Sequence, residues 1–380
     1  MPEHAGIVRF DRNEVSGAFG DLGTSLPLIV GMIAAARLDA TSVLIVFGAL
    51  QIATGLVYKM PMPVQPLKAV AAIVIAQHVS SGVLYGGGAA IGFLMLLLAF
   101  TGLLDWLARI VPRVVVRGIQ FGLGIQLTRI AVADYVPSGG AAGYALAAFA
   151  FAIVILLLGN RRFPPAPIVL ALGAVFALTI GGAGAGAFAA LGLHAPIMHV
   201  PTGSDIWQGF LLLAIPQIPL SLGNSVLATK SVAADLFPDR EPLRIKTIGL
   251  TYAGMNIVSA FLGGVPVCHG SGGMAGHYTF GARTGGSVII AGTGLLLIGV
   301  LFGGSFGEIA MLFPKPMLGV LLLFEGAAML VLMRDLAGAS RDFGLALFLG
   351  VIAAGLPYGY LVALVLGTVL AHTKRRVTVA

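Results

Sequence analysis

The sequence predicts an all-α polytopic membrane protein with about 14 transmembrane segments in two inverted repeats of seven, the third and tenth being short half-helices. Three observations predict it. First, 58% of the 380 residues are hydrophobic and 10% are charged, and the mean hydropathy is +1.00, which no soluble core of this length requires. Second, fourteen apolar segments can be drawn, at 15–36, 41–58, 64–79, 87–107, 112–131, 143–158, 166–182, 207–229, 245–263, 268–280, 284–303, 314–333, 342–355 and 357–372. About 20 apolar residues span a bilayer, and fewer suffice where a helix is broken inside protein. Third, the chain repeats itself. Met62-Pro63-Val64-Gln65-Pro66-Leu67-Lys68 is echoed by Val265-Pro266-Val267-Cys268-His269-Gly270-Ser271, and Phe19-Gly20-Asp21 by Leu222-Gly223-Asn224, each 203 positions on. Val111-Pro112-Arg113 returns as Phe313-Pro314-Lys315 at a shift of 202. Because seven is odd, a second copy of seven spans enters the membrane from the opposite side.

Residues 1–182 are therefore read as the first repeat, 183–206 as an external connector and 207–380 as the second repeat. Charge orients them. With both termini cytoplasmic, seventeen of the 22 Lys and Arg fall on cytoplasmic segments, against Arg37, Arg129 and Lys315 outside and Lys68 and Arg117 within spans. This is the bias expected of a cell (inner) membrane protein. The formal charge of +7 follows from orientation and from anionic lipid on the inner surface, and no basic run interleaved with aromatics points to nucleic acid. The bilayer is the expected partner. The first apolar segment is not read as a cleaved leader, since Glu3, Asp11 and Glu14 precede it and Asp21 interrupts it. Cys268 is the single cysteine, which excludes an internal disulfide and a cysteine metal cluster.

Ionisable groups inside a membrane are expensive and mark function or charge pairing. Asp21, Lys68 and Glu325 are such groups. Asp21 and Glu325 are read either as neutralising Lys68 or Arg117, or as proton carriers. Pro66 suits the first turn of a helix, which would aim the free amides of Leu67 and Lys68, the positive end of the helix dipole and the Lys68 charge at the membrane interior. The second copy offers Gly270-Ser271-Gly272-Gly273, where backbone can approach a ligand closely. Two helix starts facing one another would cradle an anion. His269 and His277 are read as titrating or packing residues, and Cys268 as packing. No nucleophile with a base, no P-loop and no metal-ligand cluster is present, so neither an enzyme nor a cofactor is expected.

Gly20-Asp21-Leu22-Gly23-Thr24, Pro63-Val64-Gln65-Pro66-Leu67-Lys68, Leu222-Gly223-Asn224-Ser225-Val226, Ala234-Asp235-Leu236-Phe237-Pro238 and Pro266-Val267-Cys268-His269-Gly270-Ser271-Gly272-Gly273 resemble the motifs of the molybdate/sulfate transporter family. That family is a branch of the sulfate-permease and nucleobase-transporter superfamily. The resemblance implies a core of spans one to four and eight to eleven, a gate of the remaining spans, and substrate held between the third and tenth. The residues it points to are Gln65, Lys68, Gln217, Ser221, Asn224, His269, Gly270, Ser271 and Gly272. Asp21 and Glu325 are the proton-coupling candidates, and a homodimer is allowed. Unlike sulfate permeases, the chain is expected to carry no soluble regulatory domain after the last span. It departs from nucleobase-transporting relatives in having no acid in the eighth span, which suits an oxyanion. The expected function is cation-coupled uptake of molybdate, with sulfate transport or an anion channel of the same fold as alternatives.

Overall fold

The structure is a computed structural model that describes residues 8–160, 165–181, 192–356 and 358–377. The expected connector at 183–206 and Arg161 and Arg162 lie partly or wholly outside these residues. The first half comprises α1 (Arg12–Gly17), α2 (Leu22–Ala36), α3 (Ala40–Tyr58), β1 (Val64–Pro66), α4 (Lys68–Gln77), α5 (Ser81–Thr101), α6 (Leu103–Ile110), α7 (Arg113–Arg129), α8 (Gly140–Leu157) and α9 (Pro165–Thr179). The second half comprises α10 (Gly203–Leu236), α11 (Ile245–Phe261), β2 (Val267–His269), α12 (Ser271–Thr279), α13 (Gly286–Leu312), α14 (Lys315–Val331), α15 (Ser340–Gly355) and α16 (Gly359–Val377). Among the described residues six helical runs, α3, α5, α8, α10, α13 and α14 with its 3-10 extension to Leu336, are long and apolar enough to cross a membrane. Shorter apolar helices lie in α2, α4, α9 and α16.

Each expected segment contains helix, but the fold is not wholly helical. The two Pro-Val steps pair as an antiparallel ladder, Val64 with His269, Gln65 with Cys268 and Pro66 with Val267. Gln65 and Cys268 correspond at the shift of 203, so the ladder is symmetric about their pair, as a two-fold relation between the repeats requires. Strands occur here because Pro63, Pro66 and Pro266 disfavour helix at and before themselves, and the backbone groups so freed must find partners inside the protein.

Three boundaries differ from expectation. Span four begins at Ser81, not 87, with Ser80 as its cap, and ends at Gly102, whose φ of +75° starts the separate helix α6. Gly86 and Gly87 lie inside this helix and not before it. They are the surface that admits α10: a Cβ on Gly86 would lie 2.3 Å from the Asp205 backbone. Span one is divided by the turn at 18–21 into α1 and α2. Span eleven continues beyond 303 with a kink at non-helical Phe302.

Helix α3 packs along α13 and α5 along α11, pairs that correspond at the shift of about 203, while α7 packs against both α14 and α15. The α3–α13 contact is built on glycine. A Cβ on Gly285 would fall 2.1 Å from the Gly55 carbonyl oxygen, and one on Gly292 2.6 Å from that of Gly48. In a medium without a hydrophobic drive between helices, this close approach supplies the dispersion contact that holds them.

Candidate functional site

The site is built on the ladder. Gln51 of α3 clips β1, its Nε2 donating to the Val64 carbonyl (3.0 Å) and its Oε1 accepting from the Val64 amide (2.9 Å). Asn256 of α11 clips Val267 in the same way at 2.6 and 2.9 Å. Both amides are buried. They satisfy the outer edges of two strands that have no water to bond, which is obligatory at this depth.

Helices α4 and α12 start at opposite ends of the ladder and run away from it. Pro66 is the last strand residue and not in the first helical turn, and the Leu67 amide is spent on the Pro266 carbonyl at 3.0 Å. The half-helix starts at Lys68, with its first intrahelical bond from Ala71 to Leu67. Of the amides before that bond, Ala69 donates to Gln217 Oε1 at 3.2 Å. Gln217 Nε2 donates to Ser221 Oγ (3.3 Å), which meets Tyr252 Oη at 2.7 Å. Gln217 and Ser221 therefore brace the start of α4 through a buried chain. On the other half-helix, the Ser271, Gly272 and Gly273 amides precede the first bond, from Met274 to Gly270. Gly272 is exposed, and a methyl there would meet nothing within 4 Å. Asn224 lies on a π-helical stretch of α10, Ser221–Ala228, and its Oδ1 accepts from Ser271 Oγ at 3.3 Å.

Asp21 enters from the break between α1 and α2. Its carboxylate accepts from Gln65 Nε2 through one oxygen and from Ser25 Oγ (2.9 Å) through the other. Gly270 and Gly273 leave room for this group: a Cβ on Gly270 would sit 1.7 Å from Gln65 Oε1, and one on Gly273 2.8 Å from Asp21 Oδ1. Lys68 does not pair with Asp21. Its ammonium is bound to the Glu325 carboxylate of α14, with the two side chains 12% and 9% exposed. Arg117 is held elsewhere, by Asp335 Oδ2 (2.8 Å from Nε) and Gln120 Oε1 (2.7 Å).

His269 is placed apart from these groups. Paired strand residues share a face and neighbours along a strand point oppositely. Gln65 and Cys268 thus face Asp21's side, and His269 faces away. Its Nε2 meets Thr251 Oγ1 at 2.8 Å, and that hydroxyl meets Tyr58 Oη at 2.6 Å. His277 Nδ1 likewise meets buried Ser287 Oγ at 3.0 Å. Strand alternation, applied to the Pro-Val echo, would have put Cys268 in the site and His269 outside it. Ser25, Gln51, Asn256 and Tyr252 carry no local signal, because each is recognised only by a partner distant in space.

A cleft of about 730 Å³ reaches Glu325 from Phe19 and Gly20 on one side and Thr279 and Phe280 on another, with α14 and the α8–α9 connection closing it. At the opposite end, a smaller cavity of about 300 Å³ runs between Ile75, His78, Asp134, Tyr135 and Lys315 and touches none of the site residues.

Two broken helices meeting at a polar ladder are a transporter's arrangement, and comparison with known proteins decides which kind. The family profile described as "Molybdate transporter of MFS superfamily" matches residues 13–127 and 209–329. The chain belongs to the molybdate transporter family. Molybdate transporter 2 of Arabidopsis thaliana is 37% identical, covering 87% of this chain and 81% of that relative. Molybdate transporter 1 of Chlamydomonas reinhardtii is 29% identical over 93% and 90%. Among solved structures, murine Solute Carrier 26 family member A9, an anion transporter in the inward-facing state, superposes with a TM-score of 0.74 at 13% identity, over 98% of this chain and 70% of that one. The transmembrane domain of the cyanobacterial bicarbonate transporter BicA does so with 0.64 at 18%, over 91% and 97%. This family of multi-pass membrane proteins transports and does not catalyse, and the fold is that of the Solute Carrier 26 transporters.

Proposed function

We propose that this protein is a secondary active transporter that carries molybdate across the cytoplasmic membrane, coupled to protons. The observation that carries the reading is a nearly buried ammonium, Lys68, at the head of one half-helix, with the open first turn of a second half-helix across the ladder. Helix N-termini and a fixed cation suit an oxyanion, and Gln65, Asn224 and Ser271 add neutral polar groups around it. The names of the relatives favour molybdate among tetrahedral dianions. Sulfate is the nearest alternative, because it presents the same oxygen acceptors.

In this reading the fourteen spans form two inverted repeats with both termini inside. Helices α2 to α5 and α10 to α13 form the core, and α7 to α9 and α14 to α16 the gate. The large cleft is lined by Asn160 and Phe280, which in the sequence stand just before the basic residues Arg161, Arg162 and Arg283. Basic residues favour the cytoplasmic side, so the cleft is the inward-facing access route. Drawing a dianion into an inside-negative cell costs about 2.3 kcal/mol per charge per 100 mV, which requires a coupled cation. Reconstituted into vesicles with an acidic exterior, the protein should accumulate labelled molybdate above the outside concentration, with tungstate and sulfate as competitors. Passive equilibration without uphill accumulation would establish an anion channel.

Gly270→Ala tests the placement of Gln65. The added Cβ occupies the Gln65 Oε1 position, and that flexible side chain must leave Asp21 while the backbone, at an ordinary φ of −113°, is unstrained. Molybdate affinity should fall roughly tenfold, about one hydrogen bond's worth, with the melting temperature nearly unchanged.

A further inference from the structure

Among the described residues that line the large cleft, Glu325 is the sole titratable group, and its carboxylate already sits on the Lys68 ammonium. Lys68 belongs to the half-helix α4 and Glu325 to α14, so the pair bridges the core and the gate of the reading above. We propose that the Glu325 carboxylate is an internal substitute for the transported anion. It occupies the ammonium when the carrier is empty and releases it only on taking up a proton, so that proton and oxyanion bind together. This rests on the oxyanion reading above.

The argument is one of charge. A buried ammonium cannot stand unpaired, and Glu325 gives the empty site a neutral pair. A dianion arriving beside Lys68 with Glu325 ionised would place two acids, Glu325 and nearby Asp21, and the substrate against one cation. Protonating Glu325 removes one negative charge and turns an acceptor into an O–H donor that an oxyanion oxygen can accept. Asp21 is less suited to this exchange, because its oxygens accept from Gln65 and Ser25. It positions Gln65 instead.

The other titratable groups on elements packed against α14 lie near the ends of the span. Helix α7 brings Arg113 and Arg117, both bound to Asp335, and Arg129. The π-helical turn after it brings Asp134 and Tyr135, α8 brings Tyr144, and the 3-10 turn that follows α14 brings Arg334 and Asp335. Helix α9 has none, and α2 has Asp21 at its start and Arg37 at its end. Glu325 stands ten residues, about 15 Å, from Lys315 and from Asp335 alike.

The test is equilibrium binding of labelled molybdate to the purified full chain across neutral pH. For the wild type, affinity should fall as pH rises, approaching tenfold per pH unit, because the protonated form binds tighter. Glu325→Gln keeps the shape and cannot compete, so its affinity should be as tight as the low-pH wild type and flat with pH. A Glu325→Gln protein that keeps the wild-type pH slope, or binds more weakly than the wild type at low pH, overturns the proposal. Should that variant not fold, the wild type decides alone: one proton taken up per molybdate bound, read by an indicator in weak buffer, supports the exchange, and none overturns it. Failure of molybdate, tungstate and sulfate to bind at any pH would sink the oxyanion reading itself, whereas pH-independent binding sinks only the exchange.

Discussion

Lys68→Ala should weaken molybdate binding ten- to a hundredfold, the loss of a buried charge-assisted contact worth about 1.5–3 kcal/mol. It should also lower the melting temperature, because Glu325, with its side chain 9% exposed, loses its ion-pair partner. Removing one member of a buried pair costs about 3–5 kcal/mol, more than the pair itself is worth. The two effects separate in the double variant Lys68→Ala with Glu325→Ala. Stability should return most of the way, since no charge is left uncompensated, whereas affinity should not. Recovery of both would make Lys68 a structural ion, and a change in affinity of less than about twofold in the single variant would remove it from the site.

Glu14→Ala should destabilise the fold by about 3–5 kcal/mol without changing the affinity of the protein that remains folded. Glu14 is 2% exposed, and its oxygens accept from three backbone amides at the start of α13: Arg283 (2.9 Å), Thr284 (2.8 Å) and Ser287 (2.9 Å). These are orphan donors of a helix N-terminus, and a carboxylate there also meets the positive end of the dipole. The short helix α1 is thereby latched to the head of α13. Glu14→Gln retains one acceptor oxygen and should fall between wild type and alanine in a thermal melt. An unchanged melting temperature in Glu14→Ala would show that water replaces the carboxylate.

What could be read along the chain was what physics writes locally. Hydropathy is a sum over neighbours, so the membrane class and the approximate places of the apolar helices needed no third dimension, and the orientation proposed above rests on the Lys and Arg of the sequence alone. Proline breaks a helix wherever it stands, and the repeated Pro-Val step therefore announced both half-helices and put Gln65, Lys68, Gly270 and Ser271 beside them. Partnership was not legible. Asp21 and Glu325 were both candidates to neutralise Lys68 or Arg117, and only the packing of α14 joined Glu325 to Lys68, 257 positions away. The latch from Glu14 to α13 joins residues 269 to 273 positions apart. The ladder itself was announced as two extended steps, yet its pairing turned His269 away from the site and Cys268 towards it. Coulomb and hydrogen-bond energies depend on distance in space, and a sequence in which every segment is apolar holds almost no record of which segments will touch.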